Sequence, residues 1–364
     1  MKILQVIPYF GLGGAEIMCE NLVEALIDAS NDVTVISLYS TKTPITERLE
    51  KRGVKIIYLD KRVGLDFSIA KKMLKIINEE KPDVIHTHLA SLKYAYSAVK
   101  KSKIKIPIVH TVHSIAQKES PLRDRIFNRF WYKNGKVIPV ALSKEIQKTV
   151  LQVYGLDEQD VPIVFNGLNF SKCIQKQAYS SDEKIKLLHI GRFTAEKNHQ
   201  CIIDAVRLLT DSGVNVSLKL IGEGPLKAEI EQNVRELGLD SVVEFMGAQS
   251  NVYPFLSDAD VFMLPSIYEG IPLSLVEAIG TGLPIVASNV GGIPDMIENE
   301  VNGLIITPDA ESLASAIKRL VESEELREKL GKNALSESDR FSAKNMAKKY
   351  LEIYDTLALH KLLF

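Results

Sequence analysis

Cysteine is nearly missing from this 364-residue sequence: Cys19, Cys173 and Cys201 are widely separated and show no C-x-x-C spacing. That count excludes a disulfide framework and a zinc finger, and leaves all three as small packing residues. Long apolar runs are missing too. None reaches the ~18–20 residues of a membrane span, and the N-terminus passes straight into the strand-like MKILQVIP without a signal-peptide pattern, so a cytoplasmic protein is expected. Compositional bias of the kind that marks disorder or a fibre is also lacking: 46% of residues are hydrophobic and 25% charged. At roughly 100–200 residues per domain the length predicts two domains.

Net charge is close to zero, at −1, but it is unevenly spread. Residues 1–165 carry 25 Lys and Arg against 18 Asp and Glu, whereas 166–364 carry 20 against 28. An excess of +7 in the first part suits an anionic partner, either phosphate or a membrane surface. Nucleic acid is not expected, because no nucleic-acid-binding motif accompanies the charge.

What is present is a repeating rhythm. Nearly continuous apolar runs (KILQVIP, DVTVISLY, VKIIYLD, DVIHTHL, PIVHTVH) alternate with stretches at helical spacing, the first helix starting near Gly14. A second set restarts at KIKLLHIGRF and continues through VSLKLIGEG, VVEFMG, VFMLPS, PIVAS and GLIITP. Strands of this kind belong to parallel sheets covered by helices. The sequence therefore predicts an α/β chain of two doubly wound Rossmann-like domains, with ligands in a central cleft at the C-terminal ends of the strands. The polar stretch 171–184, SKCIQKQAYSSDEK, is the candidate linker. Towards the end, ESLASAIKRLVESEELREKLGKNAL reads as one charged helix, followed by a last helix from about Ser342.

Chemistry-bearing residues gather at strand ends. The turn Gly11-Leu12-Gly13-Gly14-Ala15-Glu16 brings backbone N–H groups to a helix N-terminus, which suits a phosphate or sugar. It fails as a dinucleotide fingerprint, since Glu16 stands at the third glycine position. His86, His88 and His110 read as core histidines, while His113 ends its strand where it can meet a substrate. Gly191-Arg192 closes another strand, with Lys197 five residues on; a planar cation beside a point charge suits a diphosphate. Gly222-Glu223-Gly224-Pro225 adds a second glycine-rich approach at that end of the sheet.

The densest cluster is Glu269-Gly270-Ile271-Pro272-Leu273-Ser274-Leu275-Val276-Glu277. A carboxylate ahead of a helix accepts from sugar hydroxyls, the amides of Ile271, Leu273 and Ser274 face phosphate, and Glu277 grips a vicinal diol. Asp258-Ala259-Asp260 has the spacing of a metal-binding pair but precedes its strand, at the wrong end of the sheet, so no metal site is assigned.

Taken in order, GGAE at 13–16, the His113 loop, FNG at 165–167, GRFTAEKN, GEGP, PSIYEGIPLSLVEA and GLPIVASNVGGIPDMI resemble the retaining glycosyltransferases of family 4, with the E-x7-E spacing of Glu269 and Glu277 as the most specific element. The resemblance implies the GT-B fold and transfer of a hexosyl or other glycosyl group from a nucleoside-diphosphate sugar, commonly a UDP-sugar, with retention and without an obligatory metal. It implies that Arg192 and Lys197 hold the diphosphate, Glu277 the ribose, and Glu269 with the following amides the sugar. Gly14 would meet the donor phosphate and His113 the donor sugar. A lipid-linked glycan of cell-surface polysaccharide assembly is a common acceptor setting for this family. The resemblance also places residues 345–364 back on the first domain, giving domains 1–167 plus 345–364 and 168–344. A sugar-nucleotide 2-epimerase of the same architecture and a binding protein without chemistry are the alternatives.

One further stretch points to a surface. Drawn as a helix, Pro121–Lys136 gathers Arg125, Arg129, Lys133 and Lys136 on one arc and Ile126, Phe127, Phe130 and Trp131 on its neighbour, the pattern of a helix lying on an anionic membrane. The competing reading packs those aromatics beneath the helix.

Overall fold

The computed structural model describes residues 1–11, 13–180 and 184–362, with side chains to Ala358. The chain forms two compact units, Met1–Leu168 with Phe341–Phe364, and Asn169–Arg340.

The first unit holds a six-stranded parallel sheet of β1 (Lys2–Ile7), β2 (Asp32–Ser37), β3 (Lys55–Tyr58), β4 (Val84–His88), β5 (Ile108–Val112) and β6 (Val137–Ala141), in the order β3-β2-β1-β4-β5-β6. This is the doubly wound order of nucleotide-binding sheets. Its central strands are buried along almost their whole length, which is why they read as unbroken apolar runs. β6 escaped the sequence reading because Pro139 interrupts its short run VIPVA. Among the strands it pairs with β5, at the sheet edge, where the missing N–H of Pro139 is tolerated, and its last residue Ala141 bridges Ile163 on the other side.

The chain returns to this unit through the helix Ala343–Leu362, whose Tyr350 and Tyr354 are fully buried. The departing and returning segments touch: Leu168 bridges Ser342, and a Cβ on Gly167 would lie 2.7 Å from the Ser342 carbonyl. The glycine of the FNG motif is thus required by the close passage of two chain segments.

In the second unit β7 (Ile185–Ile190), β8 (Val216–Ile221), β9 (Val243–Gly247), β10 (Val261–Leu264), β11 (Ile285–Ser288) and β12 (Leu304–Ile306) repeat that order as β12-β11-β10-β7-β8-β9, again all parallel. Its core packs Leu187, Leu218, Met263 and Val286 of the sheet against Ile202, Val206 and Ile317 of the covering helices. Two sequence expectations are corrected here. The stretch 171–184 does not join the units but lies on the second one: Lys176 donates to the Ala259 carbonyl at 2.6 Å and the Tyr179 hydroxyl to the Gly282 carbonyl at 2.8 Å. Its residues 181–183 lie outside the described residues. The charged stretch from Glu311 to Leu335 is two helices, Ala310–Glu322 and Glu324–Ser336, because the Ser323 hydroxyl accepts from the Leu326 N–H and caps the second.

Candidate active site

The second unit assembles most of its candidate residues in the loops after β7, β8 and β10. Gly191–Phe193 turns directly beside the GEGP turn. Phe193 N–H donates to the Glu223 carbonyl at 3.1 Å, and a Cβ on Gly222, where φ is +147°, would come within 2.0 Å of the Gly191 carbonyl. Gly224 likewise has no room for a side chain, its Cβ position being 2.5 Å from the Phe193 carbonyl. These glycines hold two loops together, a role distinct from the direct phosphate approach their sequence suggested. Arg192 stays exposed at the turn.

Lys197 closes the short turn Ala195–Lys197, and its Nζ donates to Glu269 Oε1 at 2.6 Å. Ser266 Oγ donates to the same oxygen at 2.6 Å. Glu269 is largely buried, so this doubly donated contact meets the requirement that a buried carboxylate be paired and hydrogen-bonded. Behind it, Gly291 at φ +61° lies so close that a Cβ would fall 1.8 Å from the Glu269 carbonyl oxygen, and Gly292 N–H donates to the Gly270 carbonyl at 3.0 Å. The loop is therefore fixed from both sides.

The helix Leu273–Thr281 follows, with Pro272 as N-cap and no side-chain cap. Its first N–H groups remain available for an anion. Glu277, half-buried on this helix, has its carboxyl pushed up to about 8 by desolvation. Asp258 is held by Lys186 at 2.6 Å and Lys219 at 3.2 Å, while Asp260 takes Lys176 at 3.2 Å and the Lys186 N–H at 3.0 Å. Both aspartates sit before β10 and serve these lysines. Among the described residues no cluster of three or more His, Cys, Asp or Glu side chains is placed to hold a metal ion.

In the first unit, Gly13 is the extended N-cap of the helix Gly14–Asp28, again without a side-chain cap. A Cβ on Gly14 would meet nothing within 4 Å, whereas one on Gly13 would run into the Glu16 carboxylate. Leu12 lies outside the described residues. His113, just past β5, is half-buried and held neutral, pushed down to about 3 by burial and by His110.

Two family models cover most of the chain: Glycosyltransferase Family 4 matches residues 12–172 and Glycosyl transferases group 1 matches residues 171–337. The chain is a family 4 glycosyltransferase. Among curated relatives, the transferase is 28% identical over 306 residues to the N-acetyl-alpha-D-glucosaminyl L-malate synthase of Bacillus anthracis, covering 79% of each chain. It is 25% identical over 349 residues to the UDP-Gal:alpha-D-GlcNAc-diphosphoundecaprenol alpha-1,3-galactosyltransferase of Escherichia coli, covering 89% of this chain and 88% of that one. Among solved structures, Anabaena HepE in complex with UDP superposes with a TM-score of 0.84 at 20% identity, covering 98% of the transferase and all of HepE, which places the chain in the GT-B fold.

The transferase also carries an unpartnered surface. The stretch drawn from Pro121 forms the helix Leu122–Lys133, and Leu122, Ile126, Phe127 and Phe130 are 67%, 66%, 51% and 59% exposed. The reading that packs all the aromatics inward fails for these two phenylalanines. Trp131 does pack inward, stacked on Tyr96 at 4.2 Å between ring centroids. Arg125 is turned partly inward with a buried Nε, and exposed Arg123 takes its place on the outer face beside Arg129 and Lys133.

A second apolar element went unnoticed in the sequence: in the loop after β3, Val63, Leu65 and Phe67 are 96%, 59% and 85% exposed, next to Lys61 and Arg62. Loop and helix pack on one common helix, Leu92–Lys101, through Lys61 over the Tyr94 ring and through the Lys93–Asp124 ion pair at 2.9 Å. The sequence also gave no sign of Ser266, although it stands three residues before Glu269, nor of His189, whose buried Nε2 has no hydrogen-bond partner and lies beside Gly191. Among the described residues no helix is long and apolar enough to cross a membrane.

Proposed function

We propose that the transferase moves a sugar from a UDP-sugar to a hydroxyl of a lipid-linked glycan, with retention of anomeric configuration, while resting on an anionic membrane surface. The observation that carries the donor half is the Lys197–Glu269 contact at 2.6 Å, which puts the diphosphate-binding cation and the sugar-binding carboxylate of the proposal in one rigid group. Arg192 and Lys197 stabilise charge on the departing diphosphate, Glu269 and the amides of Gly270, Ile271, Leu273 and Ser274 hold the donor, and Glu277 takes the ribose. Gly13, Gly14 and His113 are the donor-site candidates carried by the first unit. In the reaction the bond from the anomeric carbon to the phosphate oxygen breaks and the acceptor oxygen bonds to that carbon on the same face. The acceptor proton passes to the departing phosphate oxygen. No protein base and no obligatory metal enters this scheme.

The acceptor half is supported by the exposed Leu122, Ile126, Phe127 and Phe130 with Arg123, Arg129 and Lys133 around them, joined by the Val63–Phe67 loop. Apolar side chains at the acyl boundary and cations at the headgroups are the two components of interfacial binding.

Two measurements test the proposal. UDP release from a panel of UDP-sugars with lipid diphosphate-linked acceptors, followed by the anomeric proton coupling of the product, is expected to show an α-linked product from an α-donor; a β-linked product sinks retention. Full conversion of donor to another sugar nucleotide without acceptor would instead mark an epimerase. Co-sedimentation with vesicles is expected on anionic and not on neutral lipid, and to be lost when Arg123, Arg129 and Lys133 are replaced by Glu. Binding that ignores both changes removes the membrane from the scheme.

A further inference from the structure

A chain of polar side chains runs through the core of the first unit from the returning helix to His113. Tyr350 OH lies 2.7 Å from Thr111 Oγ1, which lies 2.7 Å from His86 Nε2. His86 Nδ1 meets Tyr354 OH at 2.6 Å and Gln5 Nε2 at 3.4 Å. Gln5 Oε1 meets His88 Nε2 at 2.9 Å, and His88 Nδ1 meets His113 Nε2 at 3.1 Å. Every member except His113 is fully buried. A parallel sheet needs only apolar residues on this face, so a fully connected polar chain here calls for a reason beyond stability.

The chain has a direction, because an amide has one accepting and one donating end. Gln5 Oε1 can only accept, so His88 carries its hydrogen on Nε2 and leaves a lone pair on Nδ1. His113 must then donate from Nε2, which leaves its own Nδ1 as an acceptor. Burial holds His86 and His88 neutral, their protonation lying well below the usual histidine range, so neither ring supplies a second hydrogen that would erase this direction. The Glu119 carboxylate, accepting from the backbone N–H groups of His113 and Ser114, holds the loop itself.

We propose that Gln5 is a positioning residue for sugar transfer: through His88 it fixes His113 in the Nε2–H tautomer, so that His113 Nδ1 accepts a hydroxyl hydrogen of the donor sugar, while Tyr354 of the returning helix steadies the other end of the amide. This rests on the reading of His113 as a donor-sugar contact. A hydrogen-bond partner that fixes the tautomer of a functional histidine changes activity by about 10–100-fold when lost.

The test uses the full-length protein labelled with 15N-histidine. Two-bond 1H–15N spectra report each ring's tautomer, and the His113 signals are assigned by their loss in His113→Asn. The expected result is an Nε2–H His113 in the wild type and a mixture of tautomers in Gln5→Met, which keeps the side-chain volume and loses the amide, with kcat/KM for the donor reduced about tenfold or more. Gln5→Glu, which keeps an acceptor towards His88, is expected to restore the tautomer. Should Gln5→Met not fold, Tyr354→Phe provides the same reading by freeing the amide to turn. An Nδ1–H His113 in the wild type, or the same His113 tautomer with and without the Gln5 amide, overturns the proposal. A changed tautomer with unchanged turnover upholds the relay and instead removes His113 from the donor site.

Discussion

At the scale of single residues, Lys197 and Glu269 neutralise each other, whereas Arg192 is exposed. Arg192→Ala is therefore expected to lower kcat by about 10²-fold, the scale for losing a group that stabilises transition-state charge, with the melting temperature unchanged. Lys197→Ala should slow turnover as much and also destabilise the fold, since it strands a buried carboxylate; Lys197→Ala with Glu269→Gln should recover the stability and not the rate. Turnover and melting curves on the four proteins decide this.

Glu277 makes a prediction in pH. Its carboxyl titrates at about 8 in the folded protein against an ordinary value of 4.5. The folded state thus keeps a proton that the unfolded chain has lost, and the resulting stability, full below about 4.5, is lost as pH rises through 8. Glu277→Gln should match the wild type in melting temperature near pH 4.5 and exceed it increasingly towards pH 8.5, while weakening donor binding more than it slows the bound complex. If ionised Glu277 accepts the ribose hydroxyls, UDP binding at pH 7 also releases a proton. Calorimetry in buffers of different ionisation enthalpy reads that release, and finding none would take the ribose away from Glu277.

At the scale of elements, the loop carrying Glu269 is shaped by a neighbour that does no chemistry. Gly291→Ala puts a methyl group where the Glu269 carbonyl stands, in a left-handed conformation, so a loss of about 2 kcal/mol or more and weaker UDP binding are expected in denaturant melts and titrations. The sequence showed strands plainly where burial on both faces made them continuously apolar, and lost β6 because Pro139 breaks that signal. It merged the helices on either side of Ser323, since serine punctuates a helix more softly than glycine or proline does. It grouped Ile126, Phe127 and Phe130 on one arc, which is exposed, but ran the helix on to Lys136 where it ends at Lys133 and put Arg125 and Trp131 on the outer face, because periodicity orders residues around an axis without saying which side meets the protein. Glu269 and Lys197 were each legible from their own turns. Their contact was not, because it joins loops 72 residues apart.

At the scale of the molecule, the two units differ in how their chains are completed. Residues 169–340 form one uninterrupted stretch with its own sheet and core, so that fragment is expected to fold alone and to bind UDP; a fragment that melts without a cooperative transition would contradict this. Residues 1–168 alone leave the side of β1, β4 and β5 that meets Tyr350 and Tyr354 uncovered, with His86 and Thr111 deprived of their tyrosine partners. Adding 341–364 as a separate peptide should restore solubility to that fragment, as read by gel filtration.

The returning helix also sets an order in time. During synthesis at roughly 5–20 residues per second, the first unit emerges early but waits roughly 10–40 s for its last segment, about 200 residues later. The second unit is finished during that wait. The part of the chain made first is thus the part completed last, and throughout the interval its unfinished polar core is open to water and to whatever binds nascent chains. A ribosome that stalls after residue 340 would release a finished second unit attached to a first unit that has never closed.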